Sequence, residues 1–318
     1  MKVSLIIFIL LSFVSVYSQT DEKETLKKLN QAINSSYQSG DLSEAQKNAR
    51  QALDLSIKIF GNESLQTASV YSNLGIILRQ KKEYEESIVN LQKAVDIYQK
   101  VSGATKQNLS EALELLAFSQ MLDGKTDEAQ ANYLQAIEKI EEQFGKDSKE
   151  SFSLLLNTAG FFTRSKNFER ANEFYLRSYA VAVKNFGKQS KELEEIENSR
   201  ACLFVPQNFT KNQKNYIEER KKILGENSDY GGIINFKTKK LPPPKYPSEA
   251  RSQRLGGMIP VRVKVDEKGN VVEAKAICGS PILGRASEEA AREAKFEIVE
   301  VSGQPIKYSG ILVYNFIP

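Results

Sequence analysis

The residue types that most often carry chemistry are scarce in this chain. Its 318 residues include no His and no Trp, and only two cysteines. The absence of imidazole excludes Ser-His-Asp triads, Cys-His pairs, His-based proton relays and zinc sites that need His. Adjacent glutamates are the remaining acid-base candidates, and they fall on predicted solvent-exposed helix faces: Glu141-Glu142, Glu194-Glu195 and Glu288-Glu289. With no Gly-rich phosphate loop and no metal-spaced Cys/Asp cluster, the sequence predicts no enzyme, metal site, cofactor or small-molecule substrate.

The two cysteines, Cys202 and Cys278, leave two alternatives open. An exported chain meets an oxidising compartment, where the pair can form one bridge. Each cysteine lies in an apolar stretch, however, so we favour two buried free thiols that pack as small hydrophobic side chains.

Composition and charge place the chain among ordinary globular proteins. The sequence is 41% hydrophobic and 26% charged, enough for two or three modest cores. Lys and Arg number 44 against 40 Asp and Glu, a net charge of +4. This near balance implies no nucleic-acid partner.

The first residues have the pattern of an export signal. Lys2 precedes an apolar run from Val3 to Val16, and the small residue Ser18 ends the segment before Gln19. This pattern predicts a signal peptide over 1–18, cleaved near Ser18. The alternative is an uncleaved membrane anchor, which needs roughly 20 apolar residues, more than the run supplies.

A period of 42 residues runs through the first two thirds of the chain. It is carried by small residues at two positions of each unit and by a glycine at a third. The three registers are Ala45, Ser87, Ala129 and Ala171; Ala52, Ala94, Ala136 and Ser178; and Gly61, Gly103, Gly145 and Gly187. Apolar residues recur at helical spacing on both sides of a polar turn, as in a helical hairpin. One hairpin cannot bury its apolar face alone, so the units should stack into an all-α solenoid.

The hairpins resemble the tetratricopeptide repeat (TPR) family in its kinesin-light-chain-like form. The residues that carry the resemblance are Asn73-Leu74-Gly75, Tyr84-Glu85-Glu86-Ser87, Leu91 and Ala94. The match covers about residues 22–187 as four repeats. Residues 189–203 and 211–223 suggest a degenerate fifth hairpin, whose charged surface suits a cap.

The TPR resemblance implies protein binding along the inner face of the first helices. Carried over by repeat position, the groove residues are Asn34, Tyr37, Arg79, Gln80, Phe118, Met121 and Arg164. They mix polar and apolar character and lack a dense run of Lys, Arg and Asn. A clamp for acidic peptide tails is therefore disfavoured.

A small α+β domain closes the chain after a Gly- and Pro-containing stretch. A short helix starts at Ser248, and strands are predicted from Ile259 to Val265 and from Val271 to Cys278. Pro260 lacks an amide donor, which favours a sheet edge or a strand start there. A helix follows Ser280-Pro281, and a last strand runs over 306–317.

This order resembles the C-terminal domain of the TonB energy-transducer family. The matching residues are Tyr246-Pro247-x-x-Ala250, the hairpin from Gly257 to Val271, Phe296, Gly303-Gln304-Pro305 and Tyr314-Asn315-Phe316. The resemblance implies a three-stranded antiparallel sheet whose last strand is an open edge that captures an extended segment of an outer-membrane receptor. Its strand-addition residues are Lys307, Ser309, Ile311, Val313 and Asn315. A second copy of the domain can occupy the same edge and give a homodimer.

The sequence thus predicts a multidomain chain. Its parts are a signal peptide (1–18), a TPR domain (19–225), a linker (226–239) and a TonB C-terminal-like domain (240–318). We expect a periplasmic or otherwise exported adaptor in a bacterial cell envelope, with one protein in the TPR groove and another on the sheet edge. The alternative is an energy-transducing component of transmembrane transport, anchored in the inner membrane by an uncleaved N-terminus and facing the periplasm.

Overall fold

A computed structural model describes residues 3–187, 190–204, 235–301 and 303–318. The chain divides into two compact units, Met1–Lys146 and Asp147–Pro318. The division falls within the helical repeats, and most of the predicted linker 226–239 lies outside the described residues. The second unit therefore holds both the end of the repeats and the C-terminal α+β domain.

The first unit consists of helical hairpins, as the 42-residue period predicts. Each helix packs against the next one along the chain. The helices are α1 (Val3–Ser39), α2 (Leu42–Phe60), α3 (Leu65–Gln80), α4 (Tyr84–Lys100), α5 (Lys106–Leu122) and α6 (Thr126–Phe144). Within the described ranges of the chain, no helix combines the length and the apolar character that crossing a membrane requires.

The small residues of the repeat lie where helices approach most closely. Ala45, Ser87 and Ala129 have no exposed surface. In the second hairpin the Ser87 hydroxyl donates to the Gly75 carbonyl at 2.7 Å. A Cβ atom at Gly75 would lie 2.5 Å from Leu91 Cγ, so only glycine fits between α3 and α4 here. The spacing of small residues thus sets the distance between paired helices.

The second unit opens with the fourth hairpin and the first helix of the fifth. After a 3₁₀ turn at Lys149–Ser151 come α7 (Phe152–Arg164), α8 (Phe168–Phe186) and α9 (Lys191–Phe204). The second helix predicted for the fifth hairpin, at 211–223, lies outside the described residues. Together α1 to α9 confirm the predicted helical solenoid as the fold of the repeats.

The α+β domain has the predicted order of helix, strand, strand, helix and strand. Its elements are β1 (Thr238–Lys240), α10 (Ser248–Ser252), β2 (Gly257–Val265), β3 (Val271–Ala276), α11 (Pro281–Arg292), β4 (Lys295–Phe296), β5 (Glu300–Val301), β6 (Gln304–Pro305) and β7 (Tyr308–Phe316). The main sheet is three-stranded and antiparallel, in the order β3-β2-β7. Two shorter antiparallel pairings, β1 with β4 and β5 with β6, lie outside this sheet.

Pro260 lies inside the central strand β2, and not at a sheet edge or a strand start as its missing donor suggested. The strand tolerates it because Pro260 stands opposite Ile277, one residue beyond the end of β3. The Ile277 amide donates to the Pro260 carbonyl at 3.0 Å. Because Pro260 has no amide hydrogen, one hydrogen bond is missing just beyond the end of the β2–β3 ladder. The residue pairs within the ladder keep their hydrogen bonds.

The two faces of this sheet are covered by different helices. Residues of β7 alternate between them, as side chains of a strand must. Tyr308, Leu312 and Tyr314 join the core that includes Leu283 of α11. On the opposite face, Ile311 and Val313 pack with Ala201 of α9, as well as Met258 and Ile277. The last described helix of the repeats thus serves as the second layer of the α+β domain.

Cys202 and Cys278 form a disulfide, so the expectation of two free thiols was wrong. Their Cα atoms lie 6.2 Å apart, although 76 residues separate them in sequence. The apolar stretches around the two cysteines belong to one shared interface, in which Ala201 and Ile277 are neighbours. The apolar character of each stretch is visible in the sequence, whereas the contact between the two stretches is a property of the folded domain.

Candidate functional site: the partner-binding surfaces

Four of the predicted groove residues come together in the first unit. The Gln80 side-chain amide donates to the Tyr37 hydroxyl at 3.1 Å. The Arg79 guanidinium lies over the Phe118 ring, 4.6 Å from its centroid. These contacts join the ends of α1, α3 and α5, the first helices of successive hairpins, into one polar and aromatic surface.

Arg79 carries a partly buried positive charge on this surface. Burial lowers the pKa of its guanidinium, while Tyr37, Tyr133 and Glu114 oppose that shift. The Nη1 atom is buried and has no hydrogen-bond partner among the described residues. A buried guanidinium donor without an acceptor is costly, so an acceptor from a bound segment would be favourable here.

A cavity of about 590 Å³ lies beside the second half of α1, from Lys23 to Asn34, and the first half of α3. Asn34 lines it, together with Asn30, which the repeat position of the TPR resemblance also places on the inner face. Its other polar walls include Lys23, Lys27 and Asn73. The groove prediction missed Lys23 and Lys27, although their four-residue spacing places both on one helix face. Their charge gives this end of the groove more cationic character than its predicted residues have.

Two predicted groove residues, Met121 and Arg164, are not among the residues that form the polar and aromatic surface around Arg79. Met121, near the end of α5, is partly buried. Arg164 is exposed and ends α7, in the second unit. Both stay predictions as partner-binding residues.

The β3 edge of the main sheet is closed by side chains of α11. The Ala276 amide donates to Glu288 Oε1 at 2.8 Å, and Arg292 donates to the Ala274 carbonyl at 3.4 Å. Glu288 and Arg292 also form an ion pair at 3.5 Å. Charged side chains that occupy edge groups in this way block further strand pairing.

The β7 edge has a different occupant. Val313 stands opposite Pro260 in the sheet, and its amide points away from β2. That amide donates to Asn235 Oδ1 at 2.9 Å, and Asn235 Nδ2 donates to the Val313 carbonyl at 2.9 Å. By strand alternation, the amides of Ser309 and Ile311 point the same way. The backbone of β7 is therefore directed outward where the strand-addition residues were predicted.

The side chains of the predicted strand-addition residues lie in contrasting environments. Ile311 and Val313 are buried, because α9 covers their face of the sheet. Asn315 is exposed, and Ser309 is partly buried. Lys307 precedes β7 and pairs with Glu267 at 3.7 Å. The backbone is thus the part of β7 that is presented for pairing, and buried side chains hold it in position.

A buried ionic cluster, which was not predicted from the sequence, lies between α9 and β2. Arg262 donates to Asn198 Oδ1 at 2.6 Å and lies 3.5 Å from both Glu194 and Glu197. The side chains of Arg262 and Glu197 are 7% and 4% exposed. Tyr179 of α8 donates to Glu197 at 3.2 Å. An isolated Arg on a strand gives no sequence signal for such a cluster.

Family models match both parts of the chain. Residues 24–100 match the tetratricopeptide repeat model, and residues 242–318 match the model of the Gram-negative bacterial TonB protein C-terminal domain. Both predicted resemblances are confirmed. Repeats of the first kind and domains of the second are protein-interaction modules without enzymatic activity.

The C-terminal domain has curated relatives. It is similar to the Protein TonB of Xanthomonas campestris pv. campestris strain B100, with 37% identity over 79 residues. The alignment covers 24% of this chain and 35% of that protein. The chain therefore spans about a third of the length of the curated relatives it matches.

Solved structures resemble the helical part. A Podosopora anserina putative kinesin light chain with nearly identical TPR-like repeats has a TM-score of 0.53 at 14% identity, over 64% of this chain and 97% of that one. The apo form of RapI has a TM-score of 0.50 at 15% identity, over 64% of this chain and 55% of that one. At these identities the likeness concerns the fold alone.

Proposed function

We propose that this chain is an exported adaptor of the bacterial cell envelope, which holds one protein in its TPR groove and captures an extended segment of another on β7. The family matches support a TonB-like envelope protein with interaction repeats. In this proposal, the C-terminal domain is the part of the chain that captures a segment of an outer-membrane receptor. The chain itself would be non-catalytic, and a homodimer through β7 is a competing occupant of the same edge.

The contrast between the two sheet edges carries this proposal. On β3, Glu288 and Arg292 belong to α11, which packs into the domain core through Leu283, so their edge bonds are fixed by the fold. On β7, the edge bonds at Val313 are made by Asn235, which lies outside the sheet and outside α11. An added strand can replace a single side chain far more easily than a core helix.

The other proposed binding surface of the adaptor is the TPR groove of the first unit. Its cavity is lined by Lys23 and Lys27 and by carboxamides, so a polar segment that carries carboxylates is the occupant its charge favours. This differs from the expectation drawn from the centre of the groove, where cationic residues are sparse. Reversing both charges, with Lys23→Glu and Lys27→Glu, should weaken binding and invert its salt dependence.

The proposed capture is tested by photo-crosslinking in the living host. A benzoylphenylalanine at Asn315, on β7, should give an adduct with an outer-membrane protein, whereas the same probe at Val272, on β3, should give none. Both side chains are exposed, so the two positions are matched in access. Equal adducts from both positions, or none from Asn315, would exclude strand capture at β7.

A second candidate function, energy transduction from the inner membrane, is favoured by the similarity of the C-terminal domain to Protein TonB. It requires a retained anchor, whereas the adaptor requires cleavage after Ser18. Mass spectrometry of the mature N-terminus distinguishes the two. A chain that begins at Gln19 supports the adaptor, and a chain that retains the apolar run supports transduction.

A further inference from the structure

We propose that Asn235 is an intramolecular plug of the β7 edge, which an incoming strand must displace before it can pair. The proposal rests on strand capture at β7 as described above. It concerns the regulation of that capture, because a plug sets how readily the edge becomes available.

The plug imitates a paired strand. In an antiparallel sheet, two opposed residues exchange an N–H···O bond in each direction. The Asn235 carboxamide makes the same exchange with Val313, accepting through Oδ1 and donating through Nδ2, each at 2.9 Å. Both bonds form only when the amide has this orientation, so the hydrogen-bond pattern fixes which atom is oxygen.

The backbone around Asn235 is held by contacts that do not involve β7. The Thr238 hydroxyl donates to the Asn235 carbonyl at 2.7 Å. The Glu297 amide donates to the Lys237 carbonyl at 3.0 Å, and Thr238 pairs with Phe296 in the β1–β4 ladder. Rotation of the Asn235 side chain alone can therefore open the edge while this anchor stays in place.

Among the contacts of the described residues, the plug covers one position of the edge. Outward-facing backbone recurs at every second residue of β7, which includes Ser309, Ile311 and Val313. An incoming strand can thus begin to pair near Ser309 and gain bonds before it reaches Val313. The plug would then raise the threshold for capture without forbidding it.

The cost of displacement sets the expected effect. Each hydrogen bond of this kind shifts an equilibrium a few-fold once the competing bonds to water are counted. Because the plug makes two such bonds, its removal should strengthen capture by roughly ten-fold. An aspartate at 235 should act in the same direction, because its carboxylate can accept from the Val313 amide but would repel the Val313 carbonyl.

The test measures the crosslink yield from benzoylphenylalanine at Asn315 in the full-length chain in its host. Yields are compared for the unmodified plug, Asn235→Ala, Asn235→Asp and the exposed control Lys239→Ala. We expect about ten-fold more adduct with Asn235→Ala, which removes both bonds, and a smaller gain with Asn235→Asp, which keeps an acceptor for the Val313 amide, at limiting partner. The control should match the unmodified chain.

Amide hydrogen exchange on the purified full-length chain checks the contact itself. Asn235→Ala should accelerate exchange at Val313 by roughly ten-fold or more, while Leu312, whose amide faces β2, should keep its protection. Unchanged exchange at Val313 would overturn the plug.

The crosslinking outcomes separate the plug from the function it regulates. An adduct of equal yield in all four chains overturns the plug and leaves strand capture standing. No adduct in any chain overturns strand capture, and the plug with it, since no strand would then be excluded.

Discussion

The disulfide between Cys202 of α9 and Cys278, two residues after β3, ties the last described helix of the repeats to the sheet of the α+β domain. Beside it, Ala201 packs against Ile311 and Val313 of β7. The strand proposed to receive a partner is thus held from behind by a covalently attached helix. The captured segment and the repeats would be mechanically linked through this contact.

Removing the disulfide should destabilise the second unit. Closing a loop between residues 76 apart in sequence restricts the unfolded chain, and a bridge of this span is worth about 4 kcal/mol. The double variant Cys202→Ser with Cys278→Ser should lower the free energy of unfolding by about that amount in urea titrations. Reductant should shift the unmodified chain to the same midpoint and leave the variant unchanged. Equal midpoints for oxidised and reduced protein would contradict a structural role for the bridge.

Arg262 should be the most sensitive charged residue at this interface. Arg262→Ala leaves Glu197 buried without its partner charge, which should cost about 3 kcal/mol of stability. Lys264→Ala is the matched control, two residues along the same strand, because its pair with Glu273 is solvent-exposed and its loss should change little. Urea titrations of both variants check this, and comparable losses would show that the buried cluster does not stabilise the interface.

The repeat packing predicts a strong response to added volume at Ala136. This residue has no exposed surface, and its carbonyl accepts a bond from the Ser110 hydroxyl at 2.7 Å. Ala136→Leu should overpack the contact between α5 and α6 and cost roughly 1–3 kcal/mol. The exposed control Glu138→Gln should be nearly neutral. Thermal unfolding compares the two, and similar shifts would refute the assigned repeat register.

The turn between β2 and β3 predicts a dependence on pH. The side chain and amide of Asn270 and the amide of Lys268 bond the Asp266 carboxylate, which lowers the pKa of that group. Since its folded-state pKa lies below the unfolded value, the carboxylate stabilises the fold above the usual Asp range. That contribution is lost as the pH falls through the folded-state pKa.

Asp266→Asn should therefore destabilise the domain most near neutral pH, and its deficit should shrink on acidification. Urea titrations from neutral pH down to about 3 measure this difference. Glu289→Gln, an exposed change on α11, is the control. A deficit for Asp266→Asn that stays constant across the range would exclude the carboxylate as its source.

Much of the helical fold could be predicted because its signals are periodic and local. The small residues that the 42-residue period places at Ala45, Ser87 and Ala129 are all fully buried. One further position of the 42-residue repeat was not predicted from the sequence. Backbone with positive φ recurs at Gly40, Lys82, Gly124 and Lys166. This repeat position was not recognised because two of its four residues are lysine, whereas the left-handed conformation is usually indicated by glycine.

The sheet order was also predictable, whereas the contacts between distant segments were not. The alternating apolar residues of β2 predicted a half-buried strand, and the TonB resemblance implied an antiparallel sheet with its last strand at an edge, as observed. Nothing local to Asn235 indicates that it pairs with Val313, 78 residues away. The disulfide and the cluster around Arg262 are equally non-local, since each depends on how α9 meets the sheet.

The most direct test of strand capture is the effect of proline on the β7 edge. Ser309→Pro removes an outward-facing amide without disturbing the cluster that buries Ile311 and Val313, and Ser309→Ala keeps that amide. The measurement is the crosslink yield from benzoylphenylalanine at Asn315 in the host, with circular dichroism to verify that both variants fold. We expect the adduct to be lost with Ser309→Pro and kept with Ser309→Ala. An adduct of full yield from folded Ser309→Pro protein would contradict strand capture at β7.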